Sequence, residues 1–324
     1  MAVRVSSRTD RPAVGSSRDR STGHGHPSGF RRHRGGGDPA VDHGDVPMNQ
    51  LTVHRMHGLG NTVLLVDVRD LVGHDPQELA QRWCAEAAAD CMLLHERTDV
   101  PRHSILNADG TPAELCGNGL RCLIRLGIDE GWYRPAGRIE SPAGSHEYSL
   151  CEEGVRTSMP TPQFGFESVG AVPSRLPCEV AGDGACLSIE LEGHRMDLHL
   201  VSTGNPHAVI PCSDVESLDA IDFIGPVLET HPAFECGINV HLVHVGSPGE
   251  LALRSWERGV GPTQACATGA TAAVAGLARA GLVDSRATVS MPGGVLCVED
   301  GGPDGTTWNS GPADHLEPAS LRLD

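Results

Sequence analysis

The chain has 324 residues, 39% hydrophobic but only 3% aromatic, so cores built from Val, Leu, Ile and Ala are expected, and the length suits two domains of about 150 residues each. A formal charge of −17 makes nucleic acid and anionic membrane surfaces poor partners and favours a small polar substrate. Eleven cysteines, an odd number without C-x-x-C spacing, argue against a secreted disulfide framework; no metal-ligand spacing, apolar run of membrane-spanning length or secretory leader is read, so the default compartment is the cytoplasm.

Residues 1–47 hold eight Arg and five Asp with almost no periodic apolar residues, and are expected to be a disordered extension. Met48 follows immediately, which reads as the true start with the extension an upstream-start product. Alternating apolar residues then predict strands over 51–56, 63–67, 92–95 and 103–106. Between them Pro76, Leu79, Trp83 and Ala87 predict one amphipathic helix over about 76–89. Further strands are predicted over 196–201, 239–245, 251–256, 288–291 and 295–299. A second helix over 268–280 carries small residues on every face before Gly281, the pattern of a helix buried on most sides with a left-handed cap.

Residues 111–119 and 261–269 form an internal repeat. Aligned on Cys116 and Cys266, both have Pro at minus four, Glu or Gln at minus two and Gly at plus three, at a spacing of one domain, which points to duplicated halves. Each cysteine precedes small residues and then an apolar run at helical spacing, so each is predicted at a helix N-terminus. There, unpaired N–H groups and the positive end of the dipole favour thiolate and can also hold a carboxylate. Inverting a carbon beside a carboxylate requires a proton to leave one face and another to arrive on the opposite face. Two facing thiols, one ionised and one protonated, can do both. Cys84, Cys122, Cys151, Cys178, Cys186, Cys212, Cys236 and Cys297 read as ordinary small core residues.

The segments His-Gly-Leu-Gly-Asn (57–61), Asn-Ala-Asp-Gly (107–110), Cys-Gly-Asn-Gly-Leu-Arg-Cys (116–122), Gly-Asn-Pro-His-Ala-Val (204–209), Glu-Arg-Gly-Val-Gly (257–261) before Cys266, Pro-Gly-Gly (292–294) and Gly-Pro-Ala (311–313) stand in one order. From about Met48 to its end the chain resembles the diaminopimelate epimerase family. The resemblance implies an α/β fold of two pseudo-symmetric domains, each a curled, mostly antiparallel sheet around a central helix. The expected domains are 48–161 and 162–311, with a strand in 312–324 returning to the first.

It further implies a two-base epimerase acting on an amino acid, with no cofactor and no metal, and allows a homodimer. Cys116 and Cys266 would be the acid/base thiols. Gly117, Asn118, Ala267 and Thr268 would hold the reacting carboxylate, and Asn61, Asn107, Asn205, Asn239, Glu257 and Arg258 the amino groups and distal carboxylate. The expected reaction interconverts LL- and meso-diaminopimelate for lysine and peptidoglycan synthesis. The alternatives are a racemase of another amino acid, such as histidine, and, further off, a silent thiol redox sensor; a proline-racemase-like or phenazine-type isomerase fits the flanking motifs less well.

Three positions depart from the family pattern. Ala267 stands where Gly is usual and is expected to crowd the carboxylate-binding N–H groups. Thr62-Val63 replaces Asp-Phe. Asp90-Cys91 replaces Asp-Gly or Asp-Gln, with the expected loss of a polar contact.

Overall fold

The computed structural model describes residues 49–324 apart from 177, 182, 183, 192 and 304. The extension 1–47 lies outside the described residues, and the described residues form one compact unit.

The chain opens with antiparallel β1 (Gln50–Gly58) and β2 (Asn61–Asp67). Helix α1 (Pro76–Ala87) crosses over to β3 (Cys91–Glu96), which lies parallel to β2; β4 (Arg102–Asn107) returns antiparallel and short β5 (Pro112–Ala113) folds back on it. Then come α2 (Gly117–Asp129) and the meander β6 (Ala136–Ser141), β7 (Gly144–Cys151) and β8 (Gly154–Met159), with β6 parallel to β4.

Strands β9 (Gln163–Phe164), β10 (Cys178–Ala181) and β11 (Cys186–Leu191) lead into a second pass through the same series. Here β12 (His194–Ser202) and β13 (Pro206–Cys212) pair antiparallel, and α3 (Ile221–Glu229) crosses over to β14 (Asn239–Ser247), parallel to β13. Antiparallel β15 (Glu250–Glu257) and β16 (Gly261–Thr263) precede α4 (Ala267–Arg279), and β17 (Arg286–Met291), parallel to β15, continues into β18 (Gly294–Glu299) and β19 (Thr307–Gly311). The halves are joined where β8 pairs with β19 and where β20 (Asp314–Arg322) returns to pair with β1. This is an α/β fold of two pseudo-symmetric halves, each a curled, mostly antiparallel sheet around a central helix.

The central helices are apolar because sheet surrounds them. In α4 every residue from Ala267 to Leu277 is buried, and small side chains let β12, β13, β14, β17, β18 and β19 approach it. In α2 the residues Leu120, Leu123, Ile124 and Leu126 are fully buried among Val63, Leu65, Leu93 and Ile105 of the sheet. Helix α1 packs on the opposite face, against Leu64, Val66, Met92 and Leu94. Asp75 caps it by accepting from the Gln77 N–H at 2.9 Å, and Pro76 supplies its first residue. It stops at Ala87, short of the expected 89, because Ala88 takes a left-handed φ of 50°. The sequence reading omits β5 to β11, β13, β16, α3 and β19; α3 lacks a side-chain cap and carries Pro226 inside, so no start signal marks it.

Candidate active site

The two repeated cysteines hold the same local geometry. Cys116 is the N-cap of α2, with φ −121° and ψ 98°, and its Sγ accepts from the Gly119 N–H at 3.3 Å. Cys266 is the N-cap of α4, with φ −117° and ψ 105°, and its Sγ accepts from the Gly269 N–H at 3.4 Å. Each sulfur therefore takes the place of the Ser or Asp oxygen that usually satisfies an orphan donor at a helix start.

Both sulfurs line one cavity of about 240 Å³, together with Asn61, Asn107, Gly117, Asn118, Glu257, Ala267 and Thr268. Nine of the twelve predicted site residues thus share one space. The helix starts meet there: a Cβ on Gly117 would lie 2.8 Å from the Ala267 Cβ. Asn118 Nδ2 donates across the halves to the Ala265 carbonyl at 3.1 Å. Its Oδ1 accepts from Arg121 at 2.7 Å, and the same guanidinium donates to the Gly117 carbonyl at 3.3 Å. Arg121 is wholly buried, and burial lowers its pKa to about 10. The sequence reading quotes Arg121 as motif only; its work is to hold the loop and side chain of Asn118.

Asn61 Oδ1 is buried without a hydrogen-bond partner, so an acceptor is left open in the cavity wall. Buried acceptors are seldom left so unless a ligand satisfies them. Asn205, Asn239 and Arg258 are not part of the wall. Asn205 Nδ2 reaches Thr268 Oγ1 at 3.5 Å. Asn239 Oδ1 accepts the Arg258 N–H at 2.9 Å, and the Arg258 guanidinium meets the Cys236 carbonyl at 3.2 Å and Glu114 at 3.5 Å. Behind Asn205 runs a buried chain that the sequence reading did not anticipate. His207 Nε2 lies 2.8 Å from Asn205 Oδ1, His207 Nδ1 lies 2.8 Å from His241 Nε2, and His241 Nδ1 lies 2.9 Å from Ser255 Oγ. Burial pushes the pKa of both imidazoles down, that of His241 to about 3, so both are neutral and donor and acceptor alternate along the chain.

The two thiols are electrostatically unequal. A hydrogen bond from the Cys91 thiol, the Gly119 N–H and the nearby Arg121 hold Cys116 below the usual thiol range against the opposing effect of burial. Burial and then the Glu257 carboxylate push Cys266 well above it. Glu257 accepts from Thr263 Oγ1 at 2.5 Å, and burial raises its own pKa. One sulfur is thus inclined to the thiolate and the other to the thiol.

The departures resolve differently. The Ala267 methyl fits because Gly117 opposite it is bare. Val63 is wholly buried in the core around α2. Cys91 is buried and lines the cavity with Cys116.

A larger groove of about 700 Å³ lies on the outer side of the second half, between β13 and α3 and lined by Met196, Pro211, Cys212 and Phe223 among others. Neither repeated cysteine lines it; both lie in the smaller cavity. Among the described residues no three His, Cys, Asp or Glu side chains converge as a metal site requires, and no helix is long and apolar enough to cross a membrane.

The family model described as diaminopimelate epimerase matches residues 199–316. A diaminopimelate epimerase of Pseudomonas syringae pv. syringae (strain B728a) is 34% identical over 278 residues, spanning 83% of this chain and 98% of its own length. One from Azotobacter vinelandii is 35% identical over the same spans. Among solved structures, a probable proline racemase from Agrobacterium radiobacter K84 superposes with a TM-score of 0.59 at 16% identity, over 84% of this chain and 93% of that one. A phenazine biosynthesis protein of the PhzF family from Bacillus anthracis gives 0.58 at 15%, over 85% and 99%.

Proposed function

Because the chain belongs to the diaminopimelate epimerase family, and is therefore an isomerase, we propose that it interconverts LL- and meso-diaminopimelate with two thiols as acid and base. The observation that carries this reading is the pair of sulfurs, Cys116 and Cys266, capping two helix starts within one cavity. In the reaction the thiolate removes the α-proton from one face while the opposite thiol delivers a proton to the other. Negative charge that develops on the substrate carboxylate is held by the first-turn N–H groups of α2 and α4, at Gly117, Asn118, Ala267 and Thr268.

The open acceptor of Asn61, with Asn107 and Glu257, takes the ammonium groups. Asn205 and Asn239 brace Thr268 and Arg258, and Arg258 exchanges its exposed partner Glu114 for the distal carboxylate, for which a guanidinium offers a two-pronged match. On this reading residues 48–161 and 162–311 are two copies of one domain, each giving one thiol, with 312–324 returned to the first. The product feeds lysine and peptidoglycan synthesis, and no cofactor takes part.

The test is an NMR panel in heavy water under reducing conditions. LL- and meso-diaminopimelate acquire deuterium at the α-carbon and interconvert, whereas common amino acids do not. Exchange of histidine instead would reassign the substrate, and no exchange with any amino acid would remove the enzyme reading.

A further inference from the structure

We propose that His241 and Ser255 are positioning residues of this site, giving one direction to a chain of hydrogen bonds that passes through His207, Asn205 and Thr268 and ends on the Cys266 sulfur. The proposal rests on the two-thiol reading above and says what aims a donor at the second thiol.

The chain belongs to the second half alone. In the first half Val63 of β2 pairs with Cys91, and Leu93 of β3 with Ile105. In the second, His207 of β13 pairs with Asn239, and His241 of β14 with Ser255. Asn61 and Asn205 stand two residues before Val63 and His207, so the registers correspond. Leu93 and His241 each lie against the glycine whose N–H reaches the cysteine sulfur. A Cβ on Gly119 would stand 2.8 Å from Leu93 Cδ1, and one on Gly269 would stand 2.7 Å from both ring nitrogens of His241. Val63, Leu93 and Ile105 are buried as deeply as His207, His241 and Ser255. Apolar side chains therefore satisfy the fold at this place, and burying two imidazoles and a hydroxyl instead is tolerated only when their polar atoms find partners.

The hydrogen bonds run one way. Asn205 Oδ1 can only accept, so His207 Nε2, 2.8 Å away, carries the hydrogen. His207 Nδ1 is then bare and accepts from His241 Nε2 at 2.8 Å, which leaves His241 Nδ1 to accept from the Ser255 hydroxyl at 2.9 Å. Thr203 fits the same direction: its Oγ1 lies 3.1 Å from His207 Nε2 and donates to the Thr268 carbonyl at 3.4 Å. Beyond Asn205 the amide Nδ2 donates to Thr268 Oγ1 at 3.5 Å, so the Thr268 hydroxyl, 3.4 Å from Cys266 Sγ, is turned to donate to the sulfur. Burial keeps both imidazoles neutral, each with one donor and one acceptor. Ser255 thus sets the tautomer of His241, His241 that of His207, and His207 the face of the Asn205 amide. Cys266 gains negative charge when it gives its proton to the substrate, beside a Glu257 carboxylate that opposes that charge. The Thr268 hydroxyl is the side-chain donor that meets it.

The test has a structural arm and a kinetic arm. Nitrogen-15 NMR of histidine-labelled protein at pH 7 reads the tautomers directly, each resonance assigned by the substitution that removes it, and both His207 and His241 carry their hydrogen on Nε2. His241→Leu puts here the side chain that the first half uses against the same turn, and a thermal melt establishes that the variant is folded. It lowers kcat for diaminopimelate epimerisation about tenfold, the scale of one hydrogen bond to a charged group, with KM little changed. His241→Gln, whose amide still donates to His207 Nδ1, keeps most of the parental kcat. Hydrogen on Nδ1 of either imidazole, a parental kcat in His241→Leu, or equal losses in the two variants overturns the proposal. Failure of the two-thiol reading itself shows separately, as absent deuterium exchange in the parent chain, whereas the tautomers are read without substrate.

Discussion

A sulfur is a weaker N-cap than an oxygen, and here it stands at the start of both buried helices; that substitution trades helix stability for reactivity. Cys116→Ala and Cys266→Ala each lower epimerisation by at least about a hundredfold, the lower range for loss of a positioned proton-transfer group. Cys297→Ala leaves the rate unchanged, because Cys297 lies on β18 outside the cavity; steady-state rates with LL-diaminopimelate check all three. The Gly117 and Ala267 contact makes a sharper test. A methyl on Gly117 would stand 2.8 Å from the one on Ala267, so Gly117→Ala destabilises by about 1–3 kcal/mol. Adding Ala267→Gly restores most of that loss, because only one methyl fits the gap. Urea unfolding of the single and double variants measures the coupling, and additive losses would count against it.

At the scale of the element, α4 shows what its composition is for. Ala270, Ala272, Ala273 and Ala275 are wholly buried with sheet on several sides, so each methyl sets how closely a strand approaches. Ala273→Leu forces three further carbons into this close-packed space and destabilises by about 1–3 kcal/mol, read as a lowered thermal midpoint. Helix α1 is different in kind, with one face in the outer core layer and the other exposed. Removing its cap with Asp75→Ala costs about 1 kcal/mol and leaves activity unchanged, since α1 stands away from the cavity.

Across the whole molecule, stability depends on keeping buried imidazoles neutral. Burial lowers the pKa of His95 and His103 to about 4 and that of His241 to about 3. His103 has no partner at either ring nitrogen, and His95 none at Nδ1. All three folded values lie below the unfolded value near 6.5, so the unfolded chain binds more protons throughout the window between. The neutral-imidazole contribution is complete above pH 6.5 and is lost as pH falls toward 4, with each group costing about 3 kcal/mol at that limit. Chemical denaturation at pH 7 and at pH 5 is therefore expected to give a markedly lower midpoint at pH 5. His103→Asn, which cannot take up that proton, flattens the fall.

The sequence by itself determined the repeated cysteine turns, the two helices that follow them and most strands flanking those helices, because these rest on local chemistry: a turn, a cap, and a run of apolar residues at one period. The family resemblance carried by its motifs added seven more residues that line one cavity with the two cysteines. Only the tertiary structure decided what depends on distant pairs. The pairing of β8 with β19 joins segments more than a hundred residues apart, so no local pattern announces it. The buried run from Asn205 through His207 and His241 to Ser255 joins strands adjacent only in space. So does the placing of Cys91 in the cavity wall with Cys116. Whether a sulfur fills a core or lines the cavity is fixed by packing, not by neighbours along the chain.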